Sequence, residues 1–354
     1  MKNEATGTIF RVQVIGQENT PKKLQQVDMK LLTRLSLILV ILLVVISAYL
    51  RLHESGIGCP DWPACYGLIG KVTEAPESGV AESAYQAIVA ESDAPLSWAT
   101  LLHHLIASLL GLAVLFLAGL SLKARKHRMV CLALLGLTVF LVMIGLPSGS
   151  LHHPAIVMGQ LMGGFSMLGL LGWLEFRHQP GSPNYTQTRI KHIRPLVITA
   201  LFFLTFQILL GGLTSANFAA NSCQSLPGCD GVWFPDATIF SAFKLSEARQ
   251  ISPEGLAIGG LERIAIHMAH RWGALLALLA IAAAAIAGIQ GTTETRKVAS
   301  VALFLLLVEI GLGVASVVVG IPITLAVAHN WVAGLLLLVL LKLLALGEVR
   351  WIPD

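Results

Sequence analysis

Eight stretches of this chain, each close to twenty residues long and nearly free of charge, limit its fold more than any other feature. They lie at about 31–50, 98–120, 129–147, 154–175, 195–214, 264–289, 298–319 and 323–346. A helix needs about 20 apolar residues to cross the hydrocarbon of a bilayer. It can do so because all its backbone hydrogen bonds close within the segment. Composition agrees, since 55% of the 354 residues are apolar and 12% are charged, against roughly 25% charged in a soluble domain. The expected fold class is an all-α integral membrane protein with eight transmembrane helices. The formal net charge of +4 is not a nucleic-acid footprint, because the basic residues sit in short clusters between apolar runs. The lipid bilayer is the expected partner, and no nucleic acid is.

Those clusters give the orientation. Lys22, Lys23, Lys30 and Arg34 precede or open the first span. Lys123, Arg125, Lys126 and Arg128 follow the second; Arg177, Arg189, Lys191 and Arg194 separate the fourth and fifth; Arg296 and Lys297 precede the seventh. With eight spans all of these share one side, while the connections at 147–153 and 320–324 carry no Lys or Arg. The positive-inside rule then predicts cytoplasmic amino and carboxy termini. Residues 1–30 form a polar cytoplasmic segment with no cleavable signal peptide expected. The long loops 51–97 and 215–263 face outward.

Both outward loops open on one pattern, C-x3-P-x-C. It reads Cys59-Pro-Asp-Trp-Pro-Ala-Cys65 in the first and Cys223-Gln-Ser-Leu-Pro-Gly-Cys229 in the second, 164 residues later. His103-His104 echoes in His270-Arg271 at an offset of 167, and Gln160 in His329 at 169. Three echoes at a nearly constant offset predict two tandem four-helix bundles, residues 31–178 and 179–354, related as a parallel repeat. Facing side chains in the core of such a bundle can hold a cofactor. Gln207-x3-Gly211 and Glu309-x3-Gly313 also look alike, but they lie on the fifth and seventh spans and do not share the repeat's offset.

Outside the membrane, oxidising conditions let disulfides persist. Cys59 with Cys65 and Cys223 with Cys229 read as two loop-stapling disulfides, with a redox-active or metal-binding role as the alternative. Zinc is disfavoured by the C-x5-C spacing. Histidine inside a bilayer is costly enough to point to function. His103, Gln160, His270 and His329 all fall about six or seven residues into their spans from the outer side. At 1.5 Å per residue that is roughly 9–11 Å of depth. Equal depth on spans six and eight suits two imidazoles on opposite sides of one haem iron, here His270 and His329; the alternative is a hydrogen bond to a neighbouring helix. Gly163, Gly164, Ala333 and Gly334 would let a planar macrocycle approach the backbone. Arg271 and Arg263 are candidate partners for haem propionates, with contact to lipid phosphate as the alternative. Glu309, midway along the seventh span, is a candidate for a proton path.

Taken together, four segments resemble the haem A synthases of cytochrome oxidase assembly. They are Gly56-Ile-Gly-Cys-Pro-Asp-Trp-Pro-Ala-Cys-Tyr-Gly67, Gln207-Ile-Leu-Leu-Gly-Gly-Leu-Thr-Ser-Ala-Asn217, Ile266-His-Met-Ala-His-Arg271 and Leu325-Ala-Val-Ala-His-Asn330. The resemblance covers nearly the whole chain after its first thirty residues. It implies a multi-pass enzyme of the bacterial cytoplasmic membrane that oxidises a ring methyl of haem O to the formyl group of haem A, with oxygen taken from water. It also implies a haem b held by His270 and His329, a substrate haem bound in the amino-terminal half near His103, and disulfides in both cysteine pairs. Haem O synthase and oxidase assembly factors are the implied partners; a homo-oligomer is compatible with it.

Three positions depart from the family pattern. Thr100 stands where a Glu is usual, Gln160 where a second ligand histidine is usual, and His104 where an Arg is usual. Thr100 cannot take up a proton as Glu would, and Gln is a poor iron ligand. Thr100 and Gln160 support a rival reading, a non-catalytic haem-binding or delivery protein of the same fold acting in oxidase assembly; a second rival is a b-type cytochrome exchanging electrons with quinone.

Overall fold

A computed structural model describes residues 20–54, 98–145, 154–177, 193–223, 225–229, 231, 233 and 260–347. Within them lie α1 (Thr20–Glu54), α2 (Trp98–Ala124), α3 (Arg128–Gly145), α4 (Pro154–Arg177), α5 (Ile193–Ala216), α6 (Gly260–Ile289), α7 (Thr293–Val318) and α8 (Ile323–Leu346), with a short 3-10 turn at Ala220–Ser222. All eight are long and apolar enough to cross a membrane. No strand occurs among the described residues. The protein is a multi-pass, all-α membrane protein.

The helices coincide with the expected spans, α8 to the residue, but five start earlier, α3, α5 and α6 by one to four residues and α1 and α7 by more. α1 begins at Thr20 rather than 31, because good helix formers continue the helix past the point where hydropathy falls. α7 begins at Thr293 rather than 298. Thr292 caps it, its Oγ1 accepting from the Thr295 amide, and Glu294 stands in the first turn, where the helix dipole favours an acid. Between α7 and α8 the chain turns through Gly320 (φ 81°) and Ile321 (φ 58°). A β-branched residue in the left-handed region costs on the order of 1–2 kcal/mol, so the surrounding packing fixes this turn.

Helices adjacent in sequence pack together: α1 with α2, α2 with α3, α3 with α4, and likewise α5 through α8. α1 also meets α4, and α5 meets α8. Contacts of α4 with α5, α4 with α8 and α1 with α8 join the two groups. One apolar core runs through all of it, from Val40, Leu117 and Leu134 to Leu168, Leu171, Ile281, Leu336 and Leu340. Lipid tails are as apolar as leucine, so burial as such does not hold these helices together. Close approach at small residues does. A Cβ on Gly172 would sit 2.4 Å from Leu338, one on Gly163 2.4 Å from Leu141, and one on Gly288 2.7 Å from the Cβ of Ala299. Arg34 of α1 donates from Nε to Glu175 Oε1 at 2.9 Å, tying α1 to α4.

Candidate functional site

His270 and His329 are brought together. α6 and α8 present their rings with centroids 6.5 Å apart and planes 83° from parallel. The rings stand in a cavity of about 510 Å³ lined by α5 to α8, with Leu161 and Phe165 of α4 and Arg51 and Leu52 near the carboxy-terminal end of α1. The walls are mostly apolar: Leu204, Ile208, Leu278, Ile281, Leu306 and Ala333 among them.

Each ring is braced by the helix that precedes its own. The amide nitrogen of Gln207 on α5 lies 3.0 Å from Nδ1 and 3.4 Å from Nε2 of His270 and donates to the His270 carbonyl at 3.1 Å. One turn on, Gly211 leaves space where a Cβ would be 3.2 Å from the ring's Cε1. On α7 the arrangement recurs. Nδ1 of His329 lies 3.1 Å from the Glu309 carbonyl oxygen and 3.3 Å from its carboxyl Oε1, and a Cβ on Gly313 would be 3.3 Å from Cε1. An Nδ1–H that donates to Glu309 leaves Nε2 of His329 as a metal donor atom, the usual arrangement for a ligand histidine. The shared Q/E-x3-G pattern is thus a pair of ring seats. Sequence spacing did not expose this, because each seat serves a histidine on the next helix, 63 residues away in one case and 20 in the other.

Residues that follow α5 close one end of the cavity. Cys223 and Cys229 form a disulfide with their Cα atoms 4.8 Å apart. Leu226, Pro227 and Trp233 of this loop line the cavity. Arg271 clamps the loop, its guanidinium donating to the carbonyls of Ser225 at 2.7 Å, Gly228 at 2.5 Å and Cys223 at 3.1 Å. Arg271 also lines the cavity beside His270. Arg263 donates from Nε to the Phe218 carbonyl at 3.0 Å, and its Nη2 reaches the same oxygen. Trp272 donates to the Trp233 carbonyl at 3.2 Å. Both arginines are therefore spent at least partly on holding the loop, a use the sequence did not reveal. Arg51 reaches Asn330, next to His329, at 3.5 Å; it too was not singled out in the sequence.

The amino-terminal candidates are placed differently. His103 is half-buried on α2, its ring 5.9 Å from that of His104. Gln160 is half-buried on α4, and no hydrogen bond joins it to His103. Thr100 lies within α2, and its side chain is outside what the structure describes. Cys59 and Cys65 likewise lie outside the described residues. Gly163 and Gly334, expected to face a macrocycle, meet Leu141 and Leu168 instead. They let helices, not a cofactor, come close.

The donor set fits a haem. Two imidazoles facing across 6.5 Å leave room for one ion about 2 Å from a nitrogen of each. Among the described residues no group of three or more His, Cys, Asp or Glu gathers to hold a bare ion. An ion here would need its other ligands from a bound group, which a planar macrocycle in an apolar cavity supplies.

A family model described as cytochrome oxidase assembly protein, COX15-CtaA, matches residues 30–341. The chain belongs to this family. A heme A synthase of Shewanella oneidensis is 35% identical over 321 residues, 88% of this chain and 94% of the relative. A heme A synthase of Shouchella clausii is 26% identical over 209 residues, 56% of this chain and 62% of the relative. Kinship of this extent places the COX15-CtaA chain among oxidoreductase enzymes, as the resemblance implied.

Proposed function

We propose that this protein is a haem A synthase of the bacterial cytoplasmic membrane, oxidising a ring methyl of haem O to the formyl group of haem A. The observation that carries the reading is the facing pair His270 and His329, seated at one depth in an apolar cavity, in a chain 35% identical to a heme A synthase over most of its length. Turning a methyl into a formyl with oxygen from water releases electrons and protons in equal numbers. A haem b held between His270 and His329 would supply a one-electron centre that passes those electrons singly to an external electron acceptor.

The chain's own residues prepare that centre. Gln207 and Glu309 orient the ligand rings, Gly211 and Gly313 make room for them, and the disulfide-stapled loop held by Arg271 covers the outer mouth. The substrate haem is assigned to the amino-terminal half, residues 31–178, with His103 as its candidate ligand and Thr100 and Gln160 as neighbouring degenerate positions. Support for two tandem halves, the second being 179–354, comes from the helix neighbours. The closed ring α1–α2–α3–α4 recurs as α5–α6–α7–α8, with α4 against α8 between them. The orientation follows from the basic clusters, with both termini cytoplasmic.

The test is complementation of a bacterial strain that lacks haem A synthase, scored by the red-shifted haem a absorption of its oxidase. Restored haem a supports the reading; its absence despite normal expression overturns it and favours a haem-binding assembly protein.

A further inference from the structure

We infer that Gln207 and Glu309 are positioning residues that hold the planes of His270 and His329 near perpendicular. This deepens the proposed haem site and rests on it. The planes stand at 83°, and an imidazole left to packing alone can turn about its Cβ–Cγ bond, a broad, soft torsion. Two contacts remove that freedom at each ring. A polar group meets each ring: the Gln207 amide nitrogen lies 3.0 Å from Nδ1 and 3.4 Å from Nε2 of His270, and the Glu309 carbonyl and carboxyl lie 3.1 and 3.3 Å from Nδ1 of His329. Beside Cε1 the missing Cβ of Gly211 or Gly313 leaves just the space the ring occupies. Residues i and i+4 lie on one helical face, so each Q/E-x3-G unit confines one ring at two points.

The two units sit on helices that flank α6 and α8 in turn, so the grips come from different directions and set different ring angles. Gln207 is itself held in place. A Cβ on Gly273, one turn along α6 from His270, would lie 2.5 Å from Gln207 Oε1 and 2.5 Å from Leu210 Cδ1, so an alanine there shifts Gln207 and Leu210. At the corresponding repeat offsets the amino-terminal half carries Leu43 and Phe140, which cannot make either contact. The grip therefore belongs to the carboxy-terminal site alone.

Perpendicular imidazole planes leave the two iron orbitals of π symmetry nearly equal in energy, and parallel planes split them. The low-spin ferric electron paramagnetic resonance signal reads that splitting directly, with a large gmax for the perpendicular case. In purified haem-loaded protein, Gln207→Leu and Glu309→Leu should keep low-spin absorption while gmax falls, because a released ring relaxes. Glu309→Gln, whose side-chain oxygen can still accept from Nδ1 of His329, should keep the wild-type gmax. Gly273→Ala, which displaces Gln207 without touching a ligand, should reproduce the Gln207→Leu spectrum and carries the test if the leucine variants do not accumulate. Unchanged gmax in the leucine variants and in Gly273→Ala would overturn the inference. A lowered gmax in Glu309→Gln equal to that of Glu309→Leu would do so as well. Failure of the underlying site looks different: His270→Ala and His329→Ala would then retain the low-spin haem spectrum that the ligand assignment requires them to lose.

Discussion

Gly211 and Gly313 carry consequences opposite in sign to those of an ordinary helix glycine. Replacing a mid-helix glycine by alanine stabilises a helix by about 1 kcal/mol through propensity alone. Here the new methyl would press on a histidine ring from 3.2 or 3.3 Å, tighter than ordinary contact. Gly211→Ala and Gly313→Ala are therefore expected to lower haem affinity by about tenfold or more while the apoprotein melts no earlier than wild type. The haem-to-protein ratio by pyridine haemochrome, set beside the apoprotein Tm, checks both parts. Loss of haem with an equally lowered Tm would mean simple misfolding. At this level the histidines were legible, because intramembrane histidines are rare and these two fall at one depth. Their seats were visible as a resemblance between Gln207-x3-Gly211 and Glu309-x3-Gly313, yet unreadable, because nothing in the chain states which ring each polar group meets.

Among helices, stability rests on a few close approaches and cross-links. Gly288 faces the Cβ of Ala299 at 2.7 Å, and neither side has a flexible end that can swing aside, so Gly288→Ala must push α6 from α7. A destabilisation of about 1–3 kcal/mol is expected, read as a lower Tm in detergent. Gly172, whose 2.4 Å neighbour is the flexible end of Leu338, should tolerate the same change better. Arg34→Ala strands Glu175, whose side chain is 8% exposed; leaving a buried charged acceptor without its donor costs about 1–3 kcal/mol. Glu175→Gln in the same background should recover part of it. On the outer side, exchanging Cys223 and Cys229 for serine removes a short cross-link worth about 2 kcal/mol and leaves Arg271 holding an unstapled loop. Faster haem loss in a haem-transfer assay, with both ligand histidines intact, is the expected result. Spans were legible here because hydrocarbon enforces their length. The early starts of α1 and α7 were not, since hydropathy ends at the membrane surface while capping and helix propensity do not.

Considered as one assembly, the chain joins its halves through α1, α4, α5 and α8, and Arg51 of the first half enters the cavity of the second. Insertion must therefore place all eight helices before the site is complete. Reporter fusions should find both termini, and the Lys123–Arg128 turn, on the cytoplasmic side; an outward carboxy terminus would contradict the positive-inside reading. Fusions truncated after Ala216 should insert α1 to α5 and bind no low-spin haem, since α6 and α8 supply both ligands.

The eight spans, the two C-x3-P-x-C patterns, the recurring offsets and the equal depth of His270 and His329 were all legible in the sequence, because each answers to a one-dimensional demand: the thickness of hydrocarbon, the cost of a polar group within it, or a fixed offset along the chain. The tertiary structure alone decided that Gln207 and Glu309 seat the rings, that Arg271 clamps the loop, that Gly163 and Gly334 admit leucines, and that Arg51 crosses between halves. Those roles depend on which helix faces which, and in a membrane that choice is made by packing between surfaces of nearly equal hydrophobicity, which leaves little imprint on the pattern of any single helix.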